Sequence, residues 1–251
     1  MMNGGIDGEM AKGGPRMERS DVRLSGMAAT ATAERVTAFL RRVYGWMFLG
    51  LGLTALVAYG VMTTPGLAQS LVANRLMFIG LFVAQIGLVF FLSARVDRIA
   101  PSTAALLFVI YSALTGVTFS VLLLAYTGAS ITTTFVVTAG MFGALAIFGT
   151  TTTRSLAGAG QFFFMGLVGL ILASIVGMFW NNDALQFLIS VVGVIVFTGL
   201  TAWDAQRLKE MGATLPADRA GSYAVVGALS LYLDFINLFL FMLRFLGGRR
   251  D

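Results

Sequence analysis

The sequence predicts an all-α membrane protein, a bundle of seven transmembrane helices, on three observations. First, 57% of the 251 residues are hydrophobic and only 12% are charged. A soluble domain carries roughly 25% charged residues, and one soluble core of this size cannot hide that much apolar surface. Second, the apolar residues fall in seven runs of about 20, the length needed to cross a ~30 Å hydrocarbon core as helix. Third, the runs are apolar on all sides. Barrel strands alternate over about ten residues, and only helices and closed barrels satisfy the backbone in lipid, so helices remain.

The first run is Tyr44 to Thr63, ended by the turn signal Thr64-Pro65-Gly66. The second is Leu76 to Ala94, stopped by Arg95-Val96-Asp97-Arg98. Pro101 suits the first turn of the next helix, Ala104 to Tyr126. Thr127 to Ser130 connects to the fourth span, Ile131 to Thr150. The fifth runs from Gln161 to Trp180 and closes on Asn181-Asn182-Asp183. The sixth is Ala184 to Trp203, and a polar stretch from Ala205 to Gly221 reads as a loop before the seventh, Tyr223 to Leu243. Residues 1–38 read as a mostly disordered tail, helical at most from about Ala31. Residues 39–251 form the membrane domain. No apolar run near the start reads as a secretory signal.

Orientation follows from the basic residues, which collect on the cytoplasmic side. Thirteen of the 17 Lys and Arg lie in the tail or in the second–third, fourth–fifth and sixth–seventh connections. Arg75, Arg244, Arg249 and Arg250 lie on the other side. The N-terminus is therefore expected in the cytoplasm. Seven spans put the C-terminus outside, although its basic end leaves open a re-entrant last segment.

The chain has no Cys and no His. That removes disulfides, thiol nucleophiles, imidazole bases and the usual zinc ligands, together with the side chain that most often senses pH near neutrality. The net charge of +5 bears on orientation, not on nucleic acid. Gly50-Leu51-Gly52-Leu53-Thr54-Ala55 matches G-x-G-x-x-A, but it lies inside an apolar span without the preceding strand that a dinucleotide site needs. Gly166, Gly169, Ala173 and Gly177 share one face of the fifth span, and Gly140, Gly143 and Ala144 one of the fourth. Small residues there predict close helix packing. Trp46, Tyr126, Trp180, Trp203 and Tyr223 stand at span ends as interfacial anchors.

The informative residues are two carboxylates. Asp234 lies midway along the seventh span and is the only charge well inside any span. Such an acid costs roughly 2.5–3.5 kcal/mol on insertion scales, and usually faces the bundle interior and serves a pathway. Asn237, one turn on, shares its face and is placed to donate to it. Asp204 ends the sixth span. Simple counting does not bring it to the depth of Asp234.

At these residues the sequence resembles the Bax-inhibitor-1, or transmembrane Bax inhibitor motif, family and its bacterial members. Ala228 to Phe239 resembles the last-helix motif, and Phe197 to Lys209 the sixth-helix motif. Tyr126 to Ser130 with Ala139 to Ala144 resembles the middle of the family, and the likeness extends from about Glu34 to Leu246. The resemblance implies a seven-helix bundle with the last helix central. It implies a buried pair, Asp204 and Asp234, that senses pH and binds the ion, joined by an Arg from the end of the second helix, here Arg95 or Arg98. The family is associated with pH-sensitive calcium leak, and some bacterial members with modulating a membrane-bound protease. Gln85 stands where some relatives carry an acid.

Two carboxylates held close do not both ionise cheaply, so the pair is expected to share one proton. A hydrogen bond through that proton would tie the sixth and seventh helices, and its loss or a bound cation would loosen them. Calcium prefers oxygen ligands, and two carboxylates make a weak site suited to a leak. The alternative is a non-conducting interaction protein that modulates a membrane protease or a stress response. An enzyme is not expected. Intramembrane aspartyl proteases use Tyr-Asp and Gly-x-Gly-Asp, whereas Asp204 follows Trp203 and Asp234 follows Leu233. No resident cofactor is expected, and the expected location is a bacterial inner membrane.

Overall fold

Punctuation in the sequence sets the helix boundaries. The computed structural model describes residues 14–180 and 182–248, which form eight helices and no strand. They are α1 (Gly14–Thr63), α2 (Leu67–Ala73), α3 (Arg75–Arg95), α4 (Pro101–Leu123), α5 (Gly128–Thr151), α6 (Ala157–Phe179), α7 (Asp183–Thr214) and α8 (Ala220–Leu246). All but α2 are long and apolar enough to span a bilayer. Pro101 opens α4 at its first turn. Thr127, Asn74 and Asn182 accept from the free amides that begin α5, α3 and α7. Gly66 sits at φ 77°, a left-handed conformation that suits glycine, and turns α1 into α2.

Three boundaries differ from the sequence expectation. Residues 14–38, expected as a mostly unstructured tail, are helical and continuous with the first span; residues 1–13 lie outside the described residues. After Pro15 no proline interrupts this stretch, and Thr30, Thr32 and Thr37 return their hydroxyls to carbonyls four residues back. The expected loop from Ala205 to Gly221 is helix as far as Thr214. Its residues, Ala-Gln-Arg-Leu-Lys-Glu-Met, are strong helix formers: hydropathy ends at Trp203, but the helix does not. The short helix α2 fills the connection between the first two spans.

The extension of α7 is put to use. Gln206 accepts from the Leu156 amide at 2.7 Å and donates to the Arg154 carbonyl at 2.9 Å, fastening the α5–α6 connection. Lys209 donates to the Thr150 carbonyl, and Arg35 of α1 to the Leu215 carbonyl.

Burial divides the bundle. Of the apolar stretch of α8, 61% is buried, against 11% for α3 and for α6. α8 packs on α1, α3, α4, α5 and α7. One core, with Phe39, Val43, Phe108, Leu231, Tyr232 and Phe235, joins α1, α4 and α8. A second, with Leu170, Ile189, Phe197 and Leu238, joins α6, α7 and α8. Thr54 donates to the Ser112 carbonyl at 2.9 Å. Its one proton is thereby used, so Tyr232 donates to Thr54 across 2.7 Å, linking α8, α1 and α4.

α8 runs unbroken, and its end meets the α4–α5 connection: the Thr127 amide donates to the Gly248 carbonyl and the Gly248 amide to Ser130. The end of α8 thus lies on the face opposite the α7–α8 connection, without a re-entrant turn.

Close helix approach falls on only some of the expected glycines, and on others besides. A Cβ at Gly149 would strike the Ala202 carbonyl, and one at Gly199 the Phe163 ring, whereas Gly140, Gly143 and Gly169 face open space. Gly166 and Gly177 do face α7 closely. Of the aromatic residues expected as anchors, Trp180 is exposed. Trp46 packs edge-on against Phe108, Tyr126 is buried, and Tyr223 is hydrogen-bonded.

Candidate functional site

The antiparallel pair α7–α8 brings the two acids together. At 1.5 Å per residue, Asp204 stands about 15 Å back along α7 from the end of that helix, and Asp234 about 21 Å into α8. An offset of about 6 Å is within reach of one cavity, and both carboxylates line a space of about 530 Å³. Its walls come from α3, α4, α6, α7 and α8. Hydropathy stops at Trp203, eleven residues short of the end of α7, which is why counting along the sequence separates the two acids.

Asp234 is 5% exposed and its Oδ2 has no hydrogen-bond partner. A buried, unpaired carboxylate oxygen is costly. It has to be met by a proton, a cation or a water. Asp204 is half-buried. Among the described residues no hydrogen bond joins the two acids. Gln85, itself buried, reaches the same cavity from α3. Its Nε2 donates to Thr118 at 2.6 Å, and among the described residues its carbonyl oxygen accepts no hydrogen bond.

The remaining sequence-predicted residues divide. Asn237 lines the cavity but donates to the Leu233 carbonyl at 2.8 Å, within its own helix, and not to Asp234. Arg95 and Arg98 are exposed and neither lines the cavity. The guanidinium that does is Arg207, three residues beyond Asp204 on the same face of α7 and laid over the Trp203 ring. No ion pair within 4 Å joins Arg207 to either acid among the described residues. Ser230, one turn before Asp234, also lines the cavity. Arg207 and Ser230 escaped the sequence reading. The i+3 and i−4 spacings are visible in the sequence, but hydropathy assigns Arg207 to a loop.

A second cavity of about 200 Å³ shares Asp204, Arg207 and Ser230 with the first and extends between α7 and α8 to Met211 and Tyr223. Two spaces therefore adjoin at Asp204 and lead from the neighbourhood of the α7–α8 connection to Asp234. At that mouth Asp97 accepts from Arg219 at 3.1 Å and from Tyr223 at 2.7 Å. Ser222 donates to the Ile99 carbonyl. These contacts hold the start of α8 against the α3–α4 connection.

Among the described residues no group of three or more acidic side chains is placed to hold a metal. The oxygens available to a cation are those of Asp204 and Asp234, with the neutral oxygens of Gln85, Asn237 and Ser230 around them. Such a set fits weak, transient coordination by a hard cation.

A family model described as "Inhibitor of apoptosis-promoting Bax1" matches residues 36–251. The inner membrane protein YbhL of Escherichia coli (strain K12) is 46% identical over 238 residues, 94% of this chain and 99% of that protein. An uncharacterized protein of Borreliella burgdorferi is 45% identical over 215 residues, 85% of this chain and 93% of its own. An uncharacterized membrane protein of Streptococcus pyogenes serotype M1 is 35% identical over 216 residues, with the same coverage of both chains.

Proposed function

The chain belongs to the Bax inhibitor-1 family of membrane proteins, and from that premise we propose that it is a pH-sensitive calcium leak channel gated by Asp204 and Asp234. The observation that carries the reading is their shared cavity, in which the buried Oδ2 of Asp234 has no partner. The groups that face the pair are few. Arg207 comes from α7, Tyr111 from α4 and Gln85 from α3, while α6 contributes only apolar side chains. With no His in the chain, the acids are the natural proton sensor. Two carboxylates in one poorly hydrated space favour holding one proton between them. A proton and a calcium ion compete for the same oxygens.

The second cavity supports a route. An ion entering near Tyr223 meets Asp204 and Arg207 first and Asp234 next. In this reading Arg207, not Arg95 or Arg98, is the cation that tunes the pair. Calcium is cargo, the chain is not an enzyme, and no resident cofactor is required. It sits in a bacterial inner membrane with its N-terminus and the α7–α8 connection in the cytoplasm.

The test is calcium flux into proteoliposomes at several pH values, for wild type, Asp204→Asn and Asp234→Asn. Wild-type flux varies with pH, and each variant flattens the profile. Two variants with the wild-type profile would remove the pair as the switch. A purified protein without flux, together with recovery of a protease from native membranes, would favour the non-conducting interaction protein instead.

A further inference from the structure

The cavity that holds the acids has a second opening, sideways. α3 packs on α4 and lightly on α2 and α8, while α6 packs on α7, and α3 and α6 do not pack extensively on each other. These are the two least buried spans. The lips of the gap are Ile86 and Phe90 from α3 and Phe164 and Ile171 from α6, which are 55%, 71%, 52% and 52% exposed. In a membrane protein those side chains meet acyl chains. Behind them, within the same cavity, stands the unpartnered Oδ2 of Asp234. The cavity is thus apolar where it faces lipid and anionic at its floor, and its volume of about 530 Å³ lies in the range of small-molecule sites, about 300–1,000 Å³.

We propose that this lateral cleft between α3 and α6 is a binding site for a membrane-dissolved single-chain primary amine, its ammonium on Asp234 and its chain between the α3 and α6 lips. Charge complementarity selects the class. Arg207 flanks Asp204 and offsets one negative charge, so once the ammonium takes the place of the proton held by the pair, one charge is left at Asp234 for a monocation. An ammonium has three donors and no acceptor. Asp234 takes one, and the carbonyl oxygens of Asn237 and Gln85 are available for the others, because the amide nitrogens of both are already engaged with Leu233 and Thr118. A fatty alcohol of equal length fills the same lips but offers Asp234 no charge. A bare inorganic cation gains nothing from the apolar lips. A bound amine would occupy the space from Asp234 outward and block calcium there, yet binding itself does not depend on conduction.

The experiment uses the full chain in nanodiscs of phosphatidylcholine, without calcium, labelled with a dodecylamine bearing a photoreactive diazirine on its chain. Labelling is read by peptide mass spectrometry. Label is expected on α3 and α6, competed by unlabelled dodecylamine and at least tenfold less by dodecanol. Asp234→Asn lowers it at least tenfold. Ile171→Trp, which fills the gap from the lipid side and leaves both acids in place, also lowers it at least tenfold. Monodisperse elution of each variant in detergent shows that it is folded. Equal labelling of Asp234→Asn or of Ile171→Trp, or equal competition by dodecanol, overturns the proposal. Because no flux is measured, its failure is distinct from failure of the calcium reading.

Discussion

At Asp234 a carboxylate oxygen lies buried with no donor against it, so Asp234→Asn breaks no hydrogen bond. The substitution keeps the shape and removes an ionisable group from an apolar wall. Its thermal unfolding midpoint in detergent should equal or exceed that of wild type. A loss above about 2 kcal/mol, the scale of a broken buried partner, would reveal a contact that the structure does not contain. Asp234 was legible in the sequence because a lone charge in an apolar run has no innocent explanation. Arg207 was not legible. It follows the last apolar residue of its run, and hydropathy alone assigns such a residue to a loop. Asn237 was legible as a neighbour but not in its orientation, because a polar side chain inside a helix can return to the carbonyl four residues back instead of reaching across to a neighbour.

At the scale of the element, α7 carries the most consequence. Its ten residues beyond Asp204 set the depth of that acid and fasten the α5–α6 connection through Gln206. Gln206→Ala leaves the Leu156 amide and the Arg154 carbonyl without their partner. The expected cost is about 1–3 kcal/mol, in line with an unmet buried pair, measured as a lower midpoint of thermal unfolding. The α5–α7 contact is close at Gly149, where an added Cβ would meet the Ala202 carbonyl. Backbone cannot rotate aside as a side chain can. Gly149→Ala should therefore destabilise by about 1–3 kcal/mol, the usual range for overpacking, whereas Gly140→Ala, facing open space, should change little. The same unfolding measurement on the pair separates packing glycines from lipid-facing ones. Sequence periodicity did not, because a stripe of small residues looks alike whether a helix or lipid lies against it.

At the scale of the whole molecule, the seven spans fix which connections share a side. The α3–α4, α5–α6 and α7–α8 connections lie together, and the end of α8 lies opposite. In the proposed orientation, which follows the excess of Lys and Arg, the first set faces the cytoplasm. The chain has no Cys, so single cysteines report topology without background. Thr64→Cys and Asp218→Cys both replace exposed residues, on opposite sides. A membrane-impermeant thiol reagent applied to intact cells with the outer membrane permeabilised should label Thr64→Cys and spare Asp218→Cys. The reverse pattern would invert the molecule and place the Tyr223 mouth outside. The Arg219–Asp97 pair at that mouth is 55% exposed on both partners, and pairs of that kind contribute at most about 1 kcal/mol. It positions the start of α8 more than it stabilises the bundle.

The sequence by itself determined the class, the seven spans and the presence of an acid inside the last one. Each follows from a single comparison, the length and polarity of a run against the thickness and dielectric of a bilayer. Tertiary structure alone decided what surrounds that acid: Arg207 in place of Arg95 or Arg98, Gln85 across the cavity, and apolar side chains of α3 and α6 along its walls. In a membrane protein the lipid-facing and the helix-facing surfaces are both apolar. Pattern therefore carries little about which face meets which, and the neighbours of Asp234 are set by packing between residues far apart in the chain.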